Sequence, residues 1–513
     1  MARARAGCTL LLIAPLGFAA HPCESCHPKE VAAYSHSSMA RSLRRAGNEP
    51  EGSFAAGSSG ARFTIRSTSQ GSSRGNLQRM ERFGAVSEFP IAYAIGSGNH
   101  ATGYLIQIGD HLFQSPICYY TNRRLYDLAP GYEQIDEPDF TRPVGEECVL
   151  CHSGRPLHVP GTENRYAPPI FQEEAISCSR CHGAAEKHLR RPGPGSIVNP
   201  AKLDEAARDS ICEQCHLAGV TRILNPGKTF SDFRPGQRLE EVFTVYVRSN
   251  SIAFKVISHA EQLARSACAR ASQGKLWCGT CHDPHPQTPL TPRTYNSRCQ
   301  DCHLHKLARS HPADTNCLSC HMPRRPAQDG GHTVFTDHRI RRRPEPDETG
   351  QQVDDLVAWR DPEPALQARN LALAYVNDGI SGRSPAKIVR GYRMLAEVQR
   401  TAPDDIGVLQ GIGRTLLLGK EPLEALRAFE KVLQLSPISA VNEKDVGMAS
   451  LESGQFDRAG PHLERALELD PLLLSAATAL QEVYKRQGNN EKAAALSEQM
   501  RRAMHPLPPK SAK

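Results

Sequence analysis

The pentapeptide Cys-x-x-Cys-His occurs seven times in this 513-residue chain, as Cys23/Cys26/His27, Cys148/Cys151/His152, Cys178/Cys181/His182, Cys212/Cys215/His216, Cys278/Cys281/His282, Cys299/Cys302/His303 and Cys317/Cys320/His321. No Cys-x-x-Cys pair lacks its histidine, and these pairs use all but three of the 17 cysteines. Two thiols so spaced add across the vinyl groups of a porphyrin, and the adjacent imidazole reaches the iron. The expectation is seven covalently bound haem c groups. The same pairs also occur in zinc knuckles and dithiol redox centres. Cys299/Cys302 and Cys317/Cys320 stand at nearly zinc-ribbon spacing, yet a ribbon has no use for a histidine after every second cysteine, and a redox pair is normally solitary.

The N-terminus agrees with this chemistry. Arg3 and Arg5 precede an apolar run from Thr9 to Ala20 that ends in small residues. Residues 1–20 read as a secretory signal peptide, too short to span a bilayer as a mature helix; an uncleaved anchor is the alternative. Haem ligation takes place outside the cytoplasmic membrane, so a periplasmic or otherwise exported location is expected. Cys8 would leave with the signal.

Length implies two or three domains. With 39% apolar and 6% aromatic residues, 38 prolines and 39 glycines, core material is scarce, and porphyrins would supply the missing apolar surface. The formal charge of +7 does not point to nucleic acid: seven haems bring about 14 propionates, which the basic residues would offset.

Residues 21–340 read as the haem-bearing domain, built of short helices and loops. Its two long gaps between motifs show strand-like alternation and are expected as β-rich insertions over about 55–125 and 239–258, small sheets covering haem faces. Gly109-Asp110 marks a hairpin turn between Gly103–Ile108 and His111–Tyr120. Proline and charge over 341–364 suggest a linker. Beyond it residues recur 34 apart: Pro403, Pro437 and Pro471; Gly413 and Gly447; Ala425, Ala459 and Ala493. Phe429, Leu463 and Tyr484 take bulky packing positions. This pattern predicts an all-α tetratricopeptide solenoid over 365–506, with an insertion around Ser381–Pro385 in its first unit and a tail at 507–513; an ordinary helical bundle is the plainer alternative. Such arrays dock partner proteins.

Each iron has a second axial position. Eleven histidines could fill it: His36, His100, His111, His158, His188, His259, His285, His305, His311, His332 and His338. Met39 or Met322 could replace one and raise that haem's potential. The strings Ile95-Gly96-Ser97-Gly98-Asn99-His100, Cys181-His182-Gly183 with His188 following, Cys281-His282-Asp283-Pro284-His285, Cys320-His321-Met322-Pro323 and His332 with Thr336-Asp337-His338-Arg339-Ile340 are similar to the multihaem cytochrome superfamily of the nitrifiers' tetrahaem cytochrome and the hydroxylamine oxidoreductase core. The nearest resemblance is to exported members fused to tetratricopeptide repeats, and it covers about 22–340 plus the repeats. It implies His100, His188, His259, His285, His332 and His338 as distal ligands, with His36 seventh and His311 in reserve. It also implies a small helix over Val31–Arg45. Cys118 and Cys268 are left for a disulfide or for buried thiols.

The expected function is electron transfer along covalent haems, with the repeats docking redox partner proteins and association with a membrane complex left open. The alternative is an oxidoreductase acting on a small nitrogen or sulfur compound at one open haem. No Cys-x-x-Cys-Lys motif, a frequent sign of such a site, is present. A third possibility is a scaffold in which the haems only staple the fold.

Overall fold

The computed structural model describes residues 22–70, 73–249, 253–286, 291–307, 316–342 and 355–504. The expected signal peptide, Cys8, His311 and the tail lie outside them, as do the side chain of His305 and most of the expected linker.

Strand β1 (Leu43–Arg45) follows the first motif, and a four-stranded antiparallel meander comes next: β2 (Gly52–Ala56), β3 (Ala61–Gln70), β4 (Ser73–Arg82) and β5 (Ala85–Pro90). A second antiparallel sheet has the order β1-β6-β7-β8-β10, with β6 (Tyr93–Ile95), β7 (Ala101–Ile108), β8 (His111–Tyr120), β9 (Leu125–Leu128) paired to β8, and β10 (Arg142–Pro143). The hairpin at Gly109-Asp110 is present, with Ile108 opposite His111. A short pair, β11 (Pro156–His158) with β12 (Tyr166–Phe171), closes this region.

This sheet region is wider than the expected insertion and richer in core. Tyr93, Tyr104, Tyr120, Tyr132, Tyr166, Phe63, Phe113 and Phe140 are all fully buried within it. The low chain-wide aromatic content concealed their concentration here. The region buries apolar surface of its own, each large side chain contributing roughly 1.5–3 kcal/mol, and does not need a porphyrin to supply it.

The motif region looks different. The helices Pro28–Ser35, Ser179–His182, Glu186–Arg190, Cys278–Cys281 and Cys317–His321 contain no buried residue. The helix expected over Val31–Arg45 stops at Ser35, because Leu43–Arg45 pairs with Tyr93–Ile95. In the second expected insertion only β14 (Phe243–Arg248) is a strand, between β13 (Thr221–Leu224) and a third strand from further on; Leu239–Glu241 is a single tight turn. Strands β15 (Arg324–Pro326) and β16 (Val334–Thr336) form a hairpin after the last motif.

The third strand beside β14 is β17 (Leu356–Ala358), inside the expected linker. Directly after it, Trp359 Nε1 donates to Glu213 Oε1 at 3.0 Å, and the Arg360 guanidinium pairs with both oxygens of the same carboxylate. The segment is a seam. Composition suggested a linker because three strand residues are too few to show alternation.

The C-terminal region is an all-helical repeat of four hairpins: Pro364–Ser381 with Pro385–Thr401, Ile406–Leu418 with Pro422–Leu435, Ala440–Glu452 with Phe456–Leu469, and Leu474–Arg486 with Asn490–Met504. The repeated small residues mark close helix crossings: a Cβ on Gly413 would stand 2.5 Å from the Phe429 ring. The expected insertion appears as longer helices in the first hairpin, 18 and 17 residues against 13 and 14 in the second.

This array is welded to the rest. Ile223, Tyr246 and Leu356 share one apolar cluster with Ala372, Leu373, Tyr375 and Val376 of the first hairpin. Ile106, Ile108 and Phe113 share another with Leu472, Leu473 and Ala476. Polar ties reinforce both contacts. Arg248 forks onto Asp378 at 2.7 and 3.1 Å. His111 stands between Asp110 (Nδ1–Oδ1, 2.8 Å) and the fully buried Asp470 (Nε2–Oδ1, 2.6 Å), and the Val441 amide donates to Gly161 O at 3.1 Å. Among the described residues no helix is long and apolar enough to cross a membrane.

Candidate functional site

Fold topology brings the motif histidines together with histidines far off in sequence. The His27 ring stands 6.3 Å from that of His188 with 24° between ring planes. His182 stands 6.0 Å from His285 at 30°, and His282 stands 6.0 Å from His338 at 32°. Two imidazoles on opposite sides of one iron, each bonded at about 2.0 Å with about 1.2 Å more to the ring centre, have centres about 6.3 Å apart. These three pairs have the spacing of axial ligand pairs. His216 and His259 are closer, 5.2 Å at 82°, and would part by about 1 Å to admit an iron. His259 also touches His338 at 4.9 Å, so His216, His259, His338 and His282 form one continuous group.

Burial keeps these rings neutral, which is the ligating form. It pushes His259 down to about 2 and His216 down to about 4, neighbouring histidines adding to both shifts. His100, His152, His282, His285 and His338 are lowered as well, burial being the main cause in each. Several rings have their Nδ1 tied to a backbone carbonyl: His182 to Val198 O at 2.8 Å, His321 to Arg341 O at 2.6 Å and His338 to Thr336 O at 2.9 Å. A carbonyl accepts only, so Nδ1 carries the proton and Nε2 keeps its lone pair for a metal. These donor sets fit haem iron held from both sides.

The thiols follow the same clustering. Cys151 and Cys215 are hydrogen-bonded to each other, as are Cys212 and Cys278. The Cys151 thiol is pulled down, first by Cys215 and then by the Arg222 guanidinium. Cys299 likewise meets Cys317. The motifs ending at His152, His216 and His282 are therefore neighbours, and so are the last two. Cys23, Cys26, Cys148, Cys178, Cys181, Cys281, Cys302 and Cys320 are free thiols like the rest. Among the described residues no group of three or more His, Cys, Asp or Glu is arranged to hold a bare metal ion; the arrangement is one of pairs.

Some expected ligands are placed otherwise. His332 turns Nε2 to Asp127 Oδ2 at 2.6 Å and sets its ring edge-on to Tyr120, so that nitrogen is committed to a carboxylate. His36 is exposed at the end of its helix, and none of the described imidazoles stacks on it. His100 lies 4.5 Å from Phe335 with its Nδ1 buried and unpartnered. His303 is exposed on the helix Pro292–Leu307. His111 is an interface residue, and His158 bonds Glu163 O at 3.3 Å. Cys118 and Cys268 form no disulfide: Cys118 is buried in β8, which pushes its thiol up to about 12, while Cys268 lies near Cys302.

Sequence reasoning missed the residues that orient the ligands, Ser196 and Val198 among them. The run Pro192-Gly193-Pro194-Gly195-Ser196 was their one visible sign, a turn directly after His188.

No protein-family model matches this chain, and no curated protein matches it. Among solved structures, one titled MamA MSR-1 C2 is similar over 27% of this chain and 76% of that chain, with 25% identity and a TM-score of 0.25. MamA AMB-1 P212121 matches over 28% and 80%, with 25% identity and a TM-score of 0.25. A Thermobaculum terrenum O-GlcNAc transferase mutant matches over 24% and 23%, with 20% identity and a TM-score of 0.22. The repeat character of residues 364–504 rests on their own helices and period.

Proposed function

We propose that residues 22–342 carry seven covalent haem c groups and pass single electrons along them, outside the cytoplasm. Bound haem supplies a one-electron iron couple. The chain's own residues do the rest: the seven cysteine pairs anchor the rings, the seven motif histidines bind from one side, and His188, His285, His259 and His338 bind from the other. Saturating both axial positions favours electron transfer over substrate binding at those irons. The observation that carries this reading is the 6.0–6.3 Å spacing of three motif histidines from histidines outside the motifs.

The helical array braces the haem region and meets partner proteins. Leu418, Leu423 and Ile438 are 56%, 51% and 77% exposed on it, and apolar surface of this kind supports protein contact.

The test uses the full chain produced with haem attachment. Expected are a mass increase of seven haems, a Soret band, and an electron paramagnetic resonance spectrum dominated by low-spin ferric iron. A polypeptide weighing only its amino acids defeats the proposal. A high-spin fraction that shifts on adding nitrite, hydroxylamine or sulfite turns it toward an oxidoreductase.

A further inference from the structure

His188 differs from the other oriented ligands in how it is held. His182, His321 and His338 give Nδ1 to main-chain carbonyls, whereas His188 Nδ1 lies 2.8 Å from the hydroxyl of Ser196. That hydroxyl donates its single proton to Gly193 O at 2.6 Å. It therefore accepts from His188, which fixes the proton on Nδ1 and leaves Nε2 unprotonated.

The local backbone explains the placement. The Ser196 amide donates to Gly193 O at 3.2 Å, Pro194 follows Gly193, and Gly195 sits at φ +75°. This is a type II turn, with proline second and glycine at the left-handed third position. Two residues on, Val198 O takes the Nδ1 proton of His182. One segment, Gly193–Val198, thus orients a histidine of the first axial pair and a histidine of its neighbour.

Resting on the function proposed above, we infer that Ser196 is a positioning residue that sets the donor strength of His188, and through it the potential of the haem at Cys23/Cys26. A hydrogen bond from Nδ1–H makes an imidazole a stronger donor and favours ferric iron. The hydroxyl, polarised by its own bond to Gly193 O, strengthens that effect. His27 and Cys26 are exposed whereas His216 and His259 are buried, so this is a terminal haem of the wire, where potential biases entry or exit of electrons.

The test is a spectroelectrochemical titration of the haem-loaded chain. Ser196→Ala is expected to raise one potential of the seven, shifting its ferric-to-ferrous ratio about tenfold, which is about 59 mV for a one-electron couple. Ser196→Thr, which keeps the hydroxyl, is expected to restore it. His188→Met raises the same potential and so identifies the haem. Gly195→Ala, strained at positive φ with open space around its Cβ, is expected to move two potentials. Ser196→Ala with all seven haems loaded and every potential unmoved overturns the inference alone. A wild-type chain without haem overturns both it and the proposed function.

Discussion

The motif region and the helical array show two ways of specifying structure. In the array every hairpin writes its packing into a 34-residue period, and residues such as Ala425, Phe429, Val446, Leu463 and Leu480 are buried in helices of 13 or 14 residues. In the motif region the helices that carry the pentapeptides are four or five residues long and mostly bury nothing. Isolated helices that short are unstable in water. The array holds its shape by side chains alone; the motif helices are shaped for something bound between them. The sheets of residues 43–171 side with the array, through an aromatic core of their own.

The largest expected effect separates the two regions. A chain with all motif cysteines replaced by serine is expected to lose fixed structure around the pentapeptides while keeping the helical signal of the array, read by far-ultraviolet circular dichroism and limited proteolysis. Collapse of both together would break the comparison. Next comes Phe429→Ala, which empties a fully packed site against Gly413 and is expected to cost about 3–5 kcal/mol, measured by denaturant unfolding followed at the array. The seam should respond less: Glu213→Ala leaves Arg360 and Trp359 without their acceptor and is expected to cost about 3 kcal/mol, with faster cleavage near residue 358. The smallest effect is one of pH. Burial raises the Glu213 carboxyl above its ordinary range, against the pull of Arg360. Its folded value exceeds its unfolded one, so its contribution is full below the usual carboxylate range and is lost as pH rises through the raised value. Docking at the seam is expected to weaken slightly across that interval, and Glu213→Gln to flatten the change.

What the sequence disclosed follows from the range of the interactions involved. The period of Pro403, Pro437 and Pro471 is a local regularity, so the hairpins could be read in advance, and Gly109-Asp110 announced its turn. His332 could not be judged, because its partner Asp127 lies 205 residues away. His188 and His285 were marked by resemblance, but which motif each faces depends on how loops cross in space. The three residues of β17 gave no periodicity to detect. Aromatic content averaged over the chain hid the core between Phe63 and Tyr166.

Strand β17 lies downstream of Cys320, the last cysteine, yet it completes the sheet with β13 and β14. A polypeptide emerging amino end first presents every thiol while that sheet still has an open edge. Leu356–Ala358 and the first hairpin arrive afterwards and shut it. The final third of the chain is thus timed as a latch, closing over a region whose reactive sulfurs have all been offered before it exists.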